Sequence, residues 1–171
     1  MRFITEDDAR RWAVRFAREN SERGLPVVPA PEHKGELRYV FEDVGDHSYF
    51  ALAQAVIRSL EYFDECLLWV TQTGVWPSNE NLQLYYRFRQ SYGDQSLVYE
   101  RPAALLLRHE AVDLTTLVHL GMLFGWDMYL VTSHDYGRVF ISHDGWIQFS
   151  EVTPQVTTEL LAREKGRDSA A

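Results

Sequence analysis

Residues 127–149 read DMYLVTSHDYGRVFISHDGWIQF, and their patterning decides the fold class. Asp127–Thr132, Arg138–Ser142 and Ile147–Phe149 are three runs rich in β-branched and aromatic residues, separated by polar turns. Asp144-Gly145 is a hairpin signal, because glycine takes positive φ at no steric cost. The three runs therefore predict an antiparallel meander.

Working back from there, Glu110–Phe124 predicts a helix so apolar that it must be largely enclosed. Within it Gly121 permits a close approach by a neighbour, and Gly125 ends it. Ala103–Leu107 and Leu97–Tyr99 each have strand composition, with Pro102 between them. Ser78 or Asn79 caps a helix carrying Leu82, Tyr85, Phe88 and Arg89, which Gly93 stops. Cys66–Thr71 is a continuous apolar run of strand length, the pattern of a strand buried on both faces. Before it, Asp46 caps a helix whose Phe50, Ala53, Val56, Ile57, Leu60 and Phe63 form one stripe. Leu37–Phe41 predicts a short strand. At the start, Thr5 and Asp8 form a capping box for a helix over 5–23, with Ala9, Trp12, Ala13 and Phe16 at helical spacing. Trp12 and Phe16 need cover, so this helix packs back on the core rather than swinging out as an arm.

The reading is a mixed α+β single domain over residues 1–165, with the meander part of a sheet packed against several helices. Residues 25–36, with three prolines, form a connector; residues 37–150 hold the core. Residues 154–164 form a last helix, and residues 166–171 a disordered tail. A chain of 171 residues with an apolar fraction of 46 % can build such a core without disulfide or metal.

Charge narrows the partners. Twenty-five acidic against 17 basic residues leave a net charge of −8, which opposes phosphate backbones and suits a cationic partner. No nucleic acid and no membrane is expected: Thr5-Glu6-Asp7-Asp8 is acidic where a secretory signal needs a positive and then apolar stretch. The expected location is cytoplasmic. Cys66, the single cysteine, lies in an apolar run and reads as a buried, inert thiol.

Four groups carry candidate chemistry. Ser133-His134-Asp135 and Ser142-His143-Asp144 repeat the ingredients of a nucleophilic triad, or two zinc-binding histidines. They flank the middle strand of the meander, about 17 Å apart at about 3.4 Å per residue, so they cannot pool. Turn chemistry is the favoured reading, though one copy can still join distant residues. Glu61, Asp64 and Glu65 form an acidic cluster at the end of a helix, read as solvated surface or a contact for a cationic partner, with a metal or general-acid site as the alternative. His109, Glu110 and Asp113 open the apolar helix, where ordinary capping accounts for them. Lastly, Trp69–Glu80 leaves a buried strand, enters a helix and runs on to Tyr85-Tyr86-Arg87. Trp76, Glu80, Tyr85, Tyr86 and Arg87 are placed there as an interaction surface, with packing as the alternative. No dinucleotide fingerprint, phosphate loop, paired-cysteine site or serine elbow is present, and no cofactor or metal is expected.

Trp69-Val70-Thr71 with Gly74-Val75-Trp76-Pro77-Ser78, Leu84-Tyr85-Tyr86, Arg89-Gln90-Ser91-Tyr92-Gly93-Asp94 and Ser142-His143-Asp144 resemble an uncharacterised family of small acidic bacterial proteins. The resemblance implies a bacterial origin and carries no activity. The functional expectation is thus a protein-binding protein, such as an immunity or toxin-neutralising inhibitor of a basic partner. A small hydrolase or transferase, with a site assembled from residues such as Glu61, Asp64, His109 or His143, is one alternative. A subunit of a homo-oligomer docked through the N-terminal helix is another.

Overall fold

In the computed structural model, which describes residues 1–16, 37–40, 46–60, 62–73, 79–134 and 137–150, every strand joins one sheet. In chain order the elements are β1 (Arg2–Ile4), α1 (Glu6–Phe16), β2 (Leu37–Val40), α2 (Asp46–Ser59) and β3 (Glu65–Gln72). There follow α3 (Asn79–Ser91), β4 (Ala103–Leu107), a 3-10 turn (Arg108–Glu110), α4 (Ala111–Leu123), β5 (Asp127–Thr132), β6 (Arg138–Ser142) and β7 (Trp146–Ser150). The strand order is β1-β4-β3-β5-β6-β7-β2, and every neighbouring pair is antiparallel. The mixed α+β class and the closing meander are those expected from residues 127–149. No helix among the described residues is long and apolar enough to cross a membrane.

The strand period of two divides the core. Cys66, Leu68 and Val70 of β3 face α2, α3 and α4, together with Met128 and Leu130 of β5. Leu67 and Trp69 face the other way, onto Ala9, Trp12 and Ala13 of α1. β3 is therefore buried on both faces, as its unbroken apolar run requires, and α1 packs on its own sheet. Full burial of one such large side chain stabilises by about 1.5–3 kcal/mol, so both layers contribute. Thr5 caps α1 by accepting a bond from the Asp8 N–H (3.3 Å) and donating its hydroxyl to the Asp8 carboxylate (2.7 Å).

Two helices end alike. Gly125 N–H reaches the Met122 carbonyl and Trp126 N–H the Gly121 carbonyl; Gly93 and Asp94 repeat this on Gln90 and Arg89. These paired bonds close the last carbonyls, and both glycines sit at positive φ (61° and 77°), as the motif demands.

Some expectations change. Leu97–Tyr99 is a turn rather than a strand, because the Glu100 carboxylate accepts the Leu97 N–H (2.8 Å) and the Leu97 carbonyl accepts from Glu100 and Arg101. β1 went unpredicted: three residues directly before a capping box are too few to show alternation. The apolar helix starts with a 3-10 turn, and α2 ends at Ser59. The connector, the later part of the first helix, the last helix and the tail lie outside the described residues.

Where α4 crosses β5, a Cβ built on Gly121 would stand 2.1 Å from Met128 Sδ, and Met128 is fully buried. Gly→Ala in an open helix gains about 1 kcal/mol. Here we expect Gly121→Ala to cost about 1–3 kcal/mol in urea denaturation, because overpacking outweighs propensity. In a Met128→Ala background the same change should cease to destabilise. A wild-type background made more stable by Gly121→Ala would show that the two elements do not touch there.

Candidate functional site

Antiparallel pairing of β3 with β5 sets Cys66 opposite Thr132. One step further out, the Ser133 N–H donates to the Glu65 carbonyl (2.8 Å), and the Glu65 N–H donates to Ser133 Oγ (3.0 Å). The next residues, Asp64 and His134, then meet, with His134 Nε2 3.5 Å from Asp64 Oδ2. At that separation the two are neighbours rather than a close hydrogen-bonded pair. Tyr62 completes the corner. Its hydroxyl donates to Asp64 (3.1 Å), its ring stacks on His134 (5.7 Å between centroids), and the Arg108 guanidinium lies 4.2 Å from its centroid on the same ring.

The acidic cluster thus differs from its helical reading. Asp64 and Glu65 lie beyond the end of α2, so helix spacing does not relate them. Asp64 is exposed, whereas Glu65 is half-buried and accepts the Trp12 indole N–H (3.1 Å), tying α1 to the sheet. Glu61 lies outside the described residues. His134 is the residue that the sequence reading left out of this cluster. Only the β3–β5 register, which no local pattern reveals, could have brought it in.

The second tripeptide behaves as a turn. Ser142 Oγ accepts the Asp144 N–H (3.1 Å), the local bond expected of it. The His143 ring donates through Nδ1 to Asp127 Oδ1 (2.8 Å), which also accepts the His143 backbone N–H (2.8 Å). The hydrogen bond to Asp127 raises the His143 pKa above its ordinary value; desolvation opposes this, and the Asp127 and Asp144 charges add to it. His134 and His143 stand at opposite ends of β6, each beside its own carboxylate. Among the described residues no three His, Cys, Asp or Glu side chains converge as a metal would need.

At the far end of β3 the chain opens a cleft of about 490 Å³, lined chiefly by Glu6, Arg10, Trp69, Gln72, Tyr99 and Pro102. A register shift between Val70 and Gln72 loosens the strand there. Arg10 pairs with Glu6 (2.5 Å) and lies 5.8 Å from the Trp69 ring. Tyr99 is 75 % exposed at the rim. Trp76, and the loop around it, lies outside the described residues.

The tyrosines beyond that loop divide. Tyr85 is only 2 % exposed and belongs to the core, edge-on to Trp126 at 4.9 Å, so it offers no surface. Burial pushes its phenol up to about 12, with the nearby Arg89 charge opposing. Tyr86 is half-buried and accepts the Val98 N–H (3.4 Å). Arg87 is exposed, and Glu80 lies in the first turn of α3. Seven strand steps of about 3.4 Å put the Asp64–Glu65 corner roughly 24 Å from the cleft end of β3.

No protein-family model matches this chain, and no curated protein or solved structure matches it. Glu110 accepts the Leu107 N–H (2.8 Å), the capping expected of its cluster, and His109 is exposed. Cys66 is fully buried, and desolvation raises its thiol pKa far above the ordinary value.

Beside Tyr85 lies a buried charge. Arg89 is 0 % exposed and donates to Asp94 through Nε (2.8 Å) and Nη2, to Ser96 Oγ (2.8 Å) and to Tyr85 Oη (3.2 Å), with Phe3 at 4.2 Å from its Cζ. Burial opposes ionisation of Asp94, yet the bonds from Arg89 and Ser96 hold its carboxyl below the usual range.

Two titrations follow from this geometry. Asp94→Asn leaves a buried guanidinium poorly matched, and Arg89→Met leaves the carboxylate so. We expect Arg89→Met to cost about 3–5 kcal/mol at neutral pH. Because the Asp94 pKa is lowered by folding, the pair's contribution is present above the unfolded carboxyl value and is lost as pH falls through the folded one. The Asp94→Asn protein should therefore lose less stability than wild type in acid, and parallel acid limbs would refute the assignment. For His143, whose pKa folding raises, the contribution is complete below the unfolded value and lost as pH rises through the folded one. Urea midpoints at about pH 5.5 and 8.5 should show a larger wild-type advantage over His143→Gln at the lower pH. An equal or reversed advantage would count against the Asp127 bond.

Proposed function

We propose that this chain is a binding protein that holds a protein partner at the cleft by the end of β3. The observation that carries this reading is the lining of the cleft. It joins an exposed aromatic rim residue, Tyr99, to neutral polar groups and the mutually neutralised pair Glu6–Arg10. Aromatic residues beside a polar rim favour partner recognition, and among the described residues no nucleophile with an adjacent base lines the space. The net charge of −8 would speed encounter with a basic partner, which supports the finer reading of an inhibitor that neutralises a cationic toxin such as a nuclease.

The Asp64–His134 and Asp127–His143 contacts are the observations that favour a small hydrolase or transferase. Against it, the neighbouring Ser133 hydroxyl already accepts the Glu65 backbone bond, and Asp64 points into an exposed corner. For a homo-oligomer docked through the N-terminal helix, the residues Ala9, Trp12 and Ala13 of α1 are already packed on the sheet of the same chain.

Affinity capture from the native host tests the proposal. Wild type should recover a partner in fixed stoichiometry, and Tyr99→Arg should reduce that recovery at least tenfold without lowering the melting temperature. Val112→Arg, at a 78 % exposed site on α4, should recover it fully. Full recovery by Tyr99→Arg, or no stoichiometric partner for wild type, would reject the cleft as the binding surface.

A further inference from the structure

The two flanks of α1 carry different chemistry. At about 100° per residue, Glu6 and Arg10 project to one side, while Asp8, Arg11 and Arg15 project to the other. The first pair borders the cleft already described. The second set borders another hollow, of about 260 Å³, between α1, β1 and β4, with Arg2, Ile4, Trp12 and Leu105 completing its wall.

Three guanidinium groups around one hollow are unusual on a chain of net charge −8. Arg11 is bound to Asp8, and Asp8 is also held by the Thr5 hydroxyl, so that carboxylate already has partners. Among the described residues, neither Arg2 nor Arg15 has an ion-pair or hydrogen-bond partner, and both are exposed. Three arginines against one aspartate leave a local charge of +2. The floor is different in kind. Ile4, Trp12 and Leu105 are buried apolar side chains, and the Trp12 indole N–H is already committed to Glu65.

We infer that this hollow binds a phosphate monoester, with Arg2 and Arg15 gripping the phosphate and the ester's organic group resting on the apolar floor. A phosphate monoester carries about −1.5 to −2 charges near pH 7, which matches the local excess. Planar guanidinium forks donate two parallel bonds to such oxygens, and a site with two free forks can hold a dianion without drawing Arg11 from Asp8. The size suits one phosphate and a small organic group rather than a nucleic-acid backbone, which the overall acidity of the chain opposes.

Phenyl phosphate is the probe, measured by isothermal titration on the full chain at low ionic strength. Wild type should bind it in a saturable one-to-one manner and bind inorganic phosphate more weakly, since the latter leaves the floor empty. Arg2→Gln and Arg15→Gln should each weaken binding at least tenfold with unchanged melting temperature, since neither side chain has a partner to lose. Arg58→Gln removes the same charge from an exposed place on α2 and should leave binding within twofold. Benzoate, with one charge fewer, should bind at least tenfold more weakly than phenyl phosphate. A phosphotyrosyl peptide tighter than phenyl phosphate would assign the ester to a protein side chain; an equal or weaker one assigns it to a small metabolite. No saturable binding, or equal losses for Arg2→Gln and Arg58→Gln, would overturn the inference. The protein-partner reading stands or falls separately, through Tyr99 on the opposite flank.

Discussion

Antiparallel pairing between β3 and β5 is the interaction on which the rest depends. These two strands sit inside the sheet, and their register decides which side chains enter each core layer. A slip of β5 by one residue against β3 would send Leu130 toward α1 and Val131 toward the three-helix layer. The same register carries past the strand ends. It joins Glu65 to Ser133, sets Asp64 beside His134, and presents Glu65 to the indole of Trp12. Core formation and the histidine–aspartate corner at this end of the sheet thus have a common cause.

Much of this architecture was legible because its signals are local. Burial of Cys66–Val70 in β3, the three meander runs, and the glycines that close α3 and α4 each follow from a few adjacent residues. What escaped depends on contacts between distant parts of the chain. β1 is a strand because Phe3 has Ala104 to pair with, and three residues alone cannot announce that. Leu97–Tyr99 has strand composition, yet Glu100 folds it into a turn. Tyr85 looked like an interface anchor, since tyrosine suits both surface and core. Its place was decided by Arg89, whose buried charge required partners. Asp64 and Glu65 were related by helix spacing because nothing local marks the end of α2 at Ser59. The two Ser-His-Asp tripeptides are identical as text, but strand register gives their serines different partners: a β3 amide for Ser133 and the turn's own amide for Ser142.

Charge placement follows a similar division. Overall acidity describes the surface as a whole, yet the helix at the N-terminal side concentrates arginine on one flank and balances it on the other. Inside the fold, Arg89 shows how a full charge can be kept among aromatic side chains. It has a carboxylate in two-point contact, two hydroxyls, and the face of Phe3, so each of its polar edges is matched. That arrangement also joins β1 to α3, elements remote in sequence order.

Cys66 adds a consequence of its own. It is the single sulfhydryl of the chain, fully buried one residue in from the start of β3, with β4 and β5 on either side and the helical layer above. A reagent in solvent can meet it only when the core around the start of β3 opens, so the rate of that encounter times the parting of β3 from its neighbours at that end.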